Sequence, residues 1–450
     1  MPLLPPLDAL SQALQAGQVT SRALVQDCLA RAGDPSGEGA RVYISLDAEA
    51  ALRTADDIDR ARARGDRSRP YAGIPISIKD LFDIAGQATT AGSRVLAGNP
   101  PAARDAAAVA RLRAAGFVII GRSNMTEFAY SGLGLNPHYG TPLNPYDRQT
   151  GRIPGGSSSG AAISVTDGMA AIGLGTDTGG SCRIPAALTG LAGFKPTAAR
   201  VPADGAFPLS TTLDSIGGIG RTVDCCAIFD AVLAGEPVDL GERPALAGLR
   251  LAVPQTVVLD DMDTAVATAF QDALRRLSQA GAALVDLPFA EFGELAQINA
   301  KGGYTAAQAY PLHRDMMARH GAQYDPRVRT RIEKGAQLTP ADLAELNERR
   351  AGWIARAAGH FAGVDAIVCP TVPAIAPALA DLTDDAAYAR ANMLMLRNPS
   401  IINFLDGCAI SLPCHEPGSA PVGLMLAAPR GQDRRLLAIA RAVEAGLAAR

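Results

Sequence analysis

Two stretches of this chain share one local plan, and that plan constrains the fold more than any other feature. From Asp105 an Ala-rich run carries Val109 and Leu112 on one face, halts at Gly116 and leads into the apolar residues 117–120. From Asp263 the side chains Val266, Phe270, Leu274 and Leu277 recur at helical spacing, Gly281 ends the run, and residues 283–287 follow as a second apolar stretch. A capping candidate, an apolar stripe, a glycine stop and a short apolar run describe an amphipathic helix delivered onto a strand. Further strand candidates fall at 74–78, 169–174, 249–253, 366–369 and 422–426, and a closing helix after Asp433 turns Leu436, Ile439, Val443 and Leu447 inward. Helices alternating with short apolar runs predict an α/β/α sandwich around a large mixed β-sheet. Residues 289–363 break the rhythm: they are helix-prone, rich in charge and hold the only tryptophan, Trp353. They read as a helical side region on the substrate side of a single domain spanning 1–450, since no linker composition or repeat separates them.

Composition narrows the function classes. With 450 residues, 48% hydrophobic and 19% charged, the chain can bury a large core. A net charge of −3 with dispersed basic residues argues against a nucleic-acid partner. No apolar window reaches the roughly eighteen residues of a membrane span, so no membrane partner is expected. The opening MPLLPPLDALSQALQAG lacks the charged start and apolar stretch of a signal peptide. Seven cysteines, with only Cys225 and Cys226 adjacent, give neither a disulfide framework nor zinc spacing. A cytoplasmic location is the expectation.

The unusual chemistry lies between residues 153 and 196. One block reads IPGGSSSGAA, the other GLGTDTGGSCRIPAALTGLAGFKPT. Gly/Ser runs are ordinarily flexible linkers. Here both sit inside strongly apolar sequence and both run straight into Ala-rich, helix-compatible stretches. In the second block a strand candidate enters, and Pro185 suits the first turn of an outgoing helix. Ser181 then stands at a strand-to-helix turn, where unpaired backbone N–H groups favour negative charge. Gly179 and Gly180 let the backbone turn sharply there. Gly156 to Gly160 formally fits G-x-S-x-G, but Arg152-Ile153-Pro154 leads in where a nucleophile elbow needs a strand.

A serine nucleophile needs a base. The five histidines, His138, His313, His320, His360 and His415, show no sequence context that singles one out. Lys79 is the other candidate, near the end of GIPISIKD, where Ile74, Ile76 and Ile78 alternate with Pro75, Ser77 and Lys79. An ordinary lysine is neutral only about once in 2,500 at pH 7, so a base must be buried among hydroxyls and dipoles without a carboxylate clamped to it. Asp80 is adjacent but points to the opposite face of a strand.

Together GIPISIKD, PGGSSSGAA and GTDTGGSCRIPAALTGLAGFKPT resemble the amidase signature family, as do GRSNMTEFAYSGLGLNPHYGTPLNPYD, STTLDSIGGIGRTVD and the closing APVGLMLAAPRGQDRRLLAIARAVE. The resemblance covers nearly the whole chain. It implies Lys79 as base, Ser157 as proton-shuttling serine after a cis peptide, and Ser181 as nucleophile. It implies an oxyanion hole of the N–H groups of Thr178, Gly179, Gly180 and, as a further donor, Ser181. Asp177 is then either a group that holds the loop or an ordinary turn carboxylate. Ser158 supports Lys79 or Ser157, or simply packs the loop; Arg183 either receives a substrate carboxylate, as in some relatives, or, the favoured reading, forms a structural ion pair, and Cys182 is read as core.

The implied activity is an acyl-enzyme amidohydrolase needing no metal or cofactor. Its substrate is a small amide, anilide or carbamate (urethane), expected to be neutral and rather apolar. Candidate wall residues are Phe128, Tyr130, Leu133 and Tyr304, each equally compatible with core packing. A homodimer is the candidate assembly. The rival within the family is the glutamine-hydrolysing subunit of a tRNA-dependent amidotransferase, which would need a partner protein. A catalytically dead binding module is disfavoured because all three triad positions hold competent residues.

Overall fold

Short runs that can be buried on both faces become the strands, and among the described residues they join into a single eleven-stranded sheet. The structure is a computed structural model describing residues 3–448. The strands are β1 (Tyr43–Leu46), β2 (Pro75–Lys79), β3 (Val118–Ser123), β4 (Ile172–Asp177), β5 (Ala192–Lys195), β6 (Ser215–Gly220), β7 (Arg250–Pro254), β8 (Ala283–Leu287), β9 (Ala366–Pro370), β10 (Cys408–Pro413) and β11 (Gly423–Ala428). Their order across the sheet is β1-β3-β2-β4-β6-β5-β10-β11-β9-β7-β8. β2 runs parallel to both β3 and β4, whereas β6, β5, β10 and β11 bring antiparallel pairings, so the sheet is mixed.

Alternation along the strands shows why helices cover both faces. Leu251, Val253, Ile410, Leu424 and Leu426 meet Leu277 and Leu436 from the helices Thr264–Gln279 and Asp433–Ala448. Their neighbours Ala252, Ala409, Met425 and Ala427 meet Trp353 and Phe404 on the other side, from the helices Pro340–Gly359 and Asp385–Phe404. Side chains of period two can satisfy two apolar layers at once only in such a sandwich. The α/β/α expectation is met.

The details depart from it in places. The strand expected at 169–174 begins later and runs on to Thr176 and Asp177, because both polar side chains find hydrogen-bond partners inside the fold. The helix expected from Asp105 starts at Ala107 without a side-chain cap; Asp105 pairs with Arg113 instead. Asp263 does cap its helix, accepting from Val266 N at 2.9 Å. β1, β5, β6 and β10 have no counterpart among the strands read from sequence. β6 is Ser-Ile-Gly-Gly-Ile-Gly, and a Cβ at Gly217 would lie 2.0 Å from Phe194 O, so close approach of β5 demands glycine where strand propensity disfavours it.

Residues 289–363 are helical, inserted between β8 and β9. Trp353 anchors them, fully buried against Phe292 and Phe404 with Nε1 donating to Glu291 O at 2.7 Å. No helix among the described residues is long and apolar enough to cross a membrane.

Candidate active site

Parallel pairing of β2 with β4 places their C-terminal ends side by side, with Ile78 opposite Leu174. Crevices at the carboxyl ends of such strands are where open α/β sheets bind ligands. Lys79 is the last residue of β2 and has no solvent exposure. Its Nζ lies 2.7 Å from Ser157 Oγ and 2.8 Å from Thr176 Oγ1 on β4. Asp80, one residue on, faces away as strand alternation requires. Its carboxylate receives Arg122 Nε at 2.6 Å and Gly92 N at 3.0 Å. Lys79 therefore forms no ion pair among the described residues. Burial pulls its pKa from 10.5 to about 8, against the opposing pull of Cys182, Asp177 and Asp214. Near pH 7 about a tenth of such an amine is neutral, several hundred times the fraction of an exposed lysine.

The two glycine-serine blocks meet. The Gly156–Ser157 peptide is cis, Ser157 O accepts from Thr126 N at 3.1 Å, and Ser158 N donates to Ser181 O at 3.3 Å. Ser157 is fully buried and Ser181 nearly so. Ser158 Oγ turns to Thr176 O at 3.4 Å, so its contact is with β4 rather than with Lys79 or Ser157. The helix Arg183–Thr189 begins just after Ser181. Gly180 has φ +128°, and a Cβ there would lie 2.6 Å from Ile184 Cδ1 and 2.7 Å from Pro399 Cβ, so the turn accepts only glycine.

Asp177 organises this turn. Its carboxylate accepts from Gly180 N at 2.8 Å, Cys182 N at 3.1 Å, and Arg183 Nε and Nη2 at 3.0 and 2.8 Å. Asn403 Nδ2 adds a bond at 3.0 Å, and Arg183 also donates to Asn403 Oδ1 at 2.7 Å. Burial alone would raise the Asp177 pKa, but the Arg183 guanidinium holds it well below the usual carboxylate range. Of the expected oxyanion donors Thr178, Gly179, Gly180 and Ser181, the Gly180 N–H is bonded to Asp177. The Gly179 and Ser181 N–H groups carry no such bond among the described residues. Cys182 sits in the core with Ala161, Ala162 and Val165.

A cavity of about 560 Å³ opens beside β4, lined by Thr176, Thr178, Asp214, Ala129, Phe207 and Arg350 among others. Phe128, Tyr130 and Leu133, the candidate walls read from sequence, are not among its lining residues. Phe128 is buried against Phe207, His313 and Tyr324, at 5.4, 4.4 and 5.3 Å between rings. Tyr130 lies beneath Arg331, and Leu133 packs with Ile153, Ile184 and Leu188. All three are buried, and their apolar bulk suits core packing as well as it suits a substrate wall. Tyr304 is one layer behind the cavity, under Arg350.

Two residues not singled out from the sequence, one of them within the family-like STTLDSIGGIGRTVD, also line the cavity. Arg350, on the helix Pro340–Gly359, donates to Phe404 O at 2.8 Å and Asn403 O at 3.3 Å and stacks on Tyr304 and Phe404. It has no carboxylate partner among the described residues. Asp214, in STTLDSIGG, accepts from Thr178 Oγ1 at 2.5 Å and from the N–H groups of Leu209 and Ser210 at 3.0 and 3.1 Å. Burial lifts its pKa to about 6 despite those donors. The histidines with hydrogen bonds spend them elsewhere: His138 on Glu127, His313 on Tyr324, His360 on Glu291 and His415 on Val422.

This fold and site define a hydrolase of carbon–nitrogen bonds other than peptide bonds. Residues 23–437 match the family model described as Amidase, and the chain belongs to the amidase signature family. It is 37% identical to a 2-amino-5-chloromuconic acid deaminase of Comamonas testosteroni, over 96% of this chain and 94% of that protein. It is 32% identical to one subunit of the glutamyl-tRNA(Gln) amidotransferase of Symbiobacterium thermophilum, covering 97% and 95%. A solved amidase structure superimposes with a TM-score of 0.87 at 30% identity, covering 98% of this chain and 99% of that one.

Proposed function

We propose that the protein is an acyl-enzyme amidohydrolase in which Ser181 attacks, Ser157 relays the proton and Lys79 is the base. The observation that carries this reading is the buried, carboxylate-free amine of Lys79, 2.7 Å from Ser157 Oγ. Neutral Lys79 takes the Ser157 proton as Ser157 takes that of Ser181, and the Ser181 oxygen bonds to the carbonyl carbon. The tetrahedral oxyanion rests on the Gly179 and Ser181 N–H groups, near the positive end of the helix Arg183–Thr189; one such donor is worth about 3 kcal/mol of barrier. As the C–N bond breaks, Ser157 returns a proton to the leaving nitrogen and regains one from Lys79. Water, deprotonated through the same relay, then releases the acid.

The cavity supports a sharper substrate class than the neutral one expected from sequence: a small amide whose far end carries a carboxylate. Arg350 offers a guanidinium aimed by two carbonyls and two rings, with no protein carboxylate among the described residues to neutralise it, which suits bidentate carboxylate recognition. The likeness to a deaminase of a muconic acid is consistent with this. The helical side region 289–363 thus contributes Arg350 to the cavity wall. Purified chain should hydrolyse succinamate or maleamate faster than butanamide, anilides or carbamates, and Ser181→Ala should abolish turnover with the fold retained. Near-normal turnover by the Ala variant overturns the mechanism. The likeness to an amidotransferase component favours a second reading, with glutamine as substrate inside a complex; glutaminase activity appearing only with a partner protein would select it.

A further inference from the structure

Asp214 takes no direct part in the relay just described, yet it is built into the same strand face. Thr176 and Thr178 are two residues apart on β4 and its continuation, so their side chains share a side about 7 Å apart. One hydroxyl holds the Lys79 amine at 2.8 Å and the other holds the Asp214 carboxylate at 2.5 Å. Both threonines and Asp214 line the same cavity.

The charges around Lys79 differ in how far they are compensated. Asp177, at the end of β4, is neutralised by the buried Arg183 guanidinium. Cys182, at the start of the next helix, is a thiol that burial keeps protonated. Asp80 is paired with Arg122 on β3. Asp214 has only hydroxyl and amide donors and forms no ion pair among the described residues. Arg350 and an Arg430–Asp406 pair line the cavity beyond it. Among these acidic groups near the relay, Asp214 is thus the one with no cation bound to it.

We infer that Asp214 is a positioning residue for Lys79: its carboxylate, fixed by Thr178 beside the threonine that fixes the amine, sets how much of that amine is free of its proton at working pH. The inference rests on the reading of Lys79 as base. A nearby anion with no cation bound to it favours the ammonium form, so removing its charge moves the acid limb of the rate profile to lower pH, by on the order of one pH unit. An enzyme with Asp214 ionised holds its base in reserve until the pH rises.

The test needs no knowledge of the natural substrate. The rate of Ser181 inactivation by phenylmethylsulfonyl fluoride is followed against pH for the wild type, Asp214→Asn and Asp214→Glu. The acid limb is expected to fall by about one pH unit in the Asn variant and to return toward the wild-type position in the Glu variant. An unmoved limb with a lowered plateau, the mark of a merely structural role, overturns the inference, as does an equal displacement in both variants. If the Asn variant does not fold, Asp214→Ser keeps an acceptor for Thr178 without the charge and carries the same expectation. Lys79→Met, run alongside, separates the two claims: a limb that survives there removes Lys79 as base, whereas its loss together with an unmoved Asn limb removes only the role of Asp214.

Discussion

Replacing Lys79 by methionine tests the energetics of the buried amine apart from catalysis. Met fills a similar volume with no ionisable group. In the folded wild type the amine gives up its proton near pH 8, whereas in the unfolded chain it does so near 10.5. Between those values the unfolded state binds more protons, so wild-type stability rises with pH and the penalty of a buried ammonium, fully present below about pH 8, is relieved. The displacement corresponds to about 3 kcal/mol. Lys195 is a second buried lysine with its pKa drawn to about 8, but it is present in both proteins and cancels in the difference. The Met variant loses two hydroxyl contacts, a cost of about 1–3 kcal/mol that does not vary with pH over this range. Urea unfolding of both proteins at pH 7, 8, 9 and 10 is the assay. The stability of the Met variant relative to wild type should decline by roughly 2–3 kcal/mol across the series. A difference that stays flat would mean that Lys79 titrates like an exposed lysine and that burial does not depress its pKa.

Other consequences follow from the same contacts. Arg350→Gln should lower kcat/KM for succinamate about 10- to 100-fold while leaving butanamide nearly unchanged; equal losses on both would refute a carboxylate subsite. Asn403→Leu strips hydrogen bonds from Asp177 and Arg183 while leaving both buried. It should destabilise the fold by about 2–4 kcal/mol in urea unfolding and lower kcat more than it raises KM, because the nucleophile turn loses its support.

The placement of the proposed relay residues was legible in sequence because its signals are local. Apolar alternation in GIPISIKD placed Lys79 at a strand end and sent Asp80 the other way, and both are found so. The glycine turn ahead of Pro185 announced a strand-to-helix junction. The cavity was not legible. Arg350 lies far along the chain from Ser181, and only helix packing brings it to the sheet. Its sequence neighbourhood reads as an ordinary charged helix face. Phe128 and Leu133 were compatible with a wall or with the core, and both are buried. The missed strand β6 illustrates the same limit: its glycines look like a loop until β5 lies across them at distances no other residue permits.

Lys79 and the glycine turn that carries Ser181 hang from adjacent parallel strands, whereas Arg350 comes from a helix of the inserted side region. The two jobs therefore reside in parts of the chain that can change at different speeds. A slip of one residue between β2 and β4 would swap Lys79 for a neighbour and end the chemistry outright, so that pairing is frozen. The overlying helices are under no such register constraint, so on the proposed reading one unchanging reaction is turned to another substrate by changing the wall residues alone.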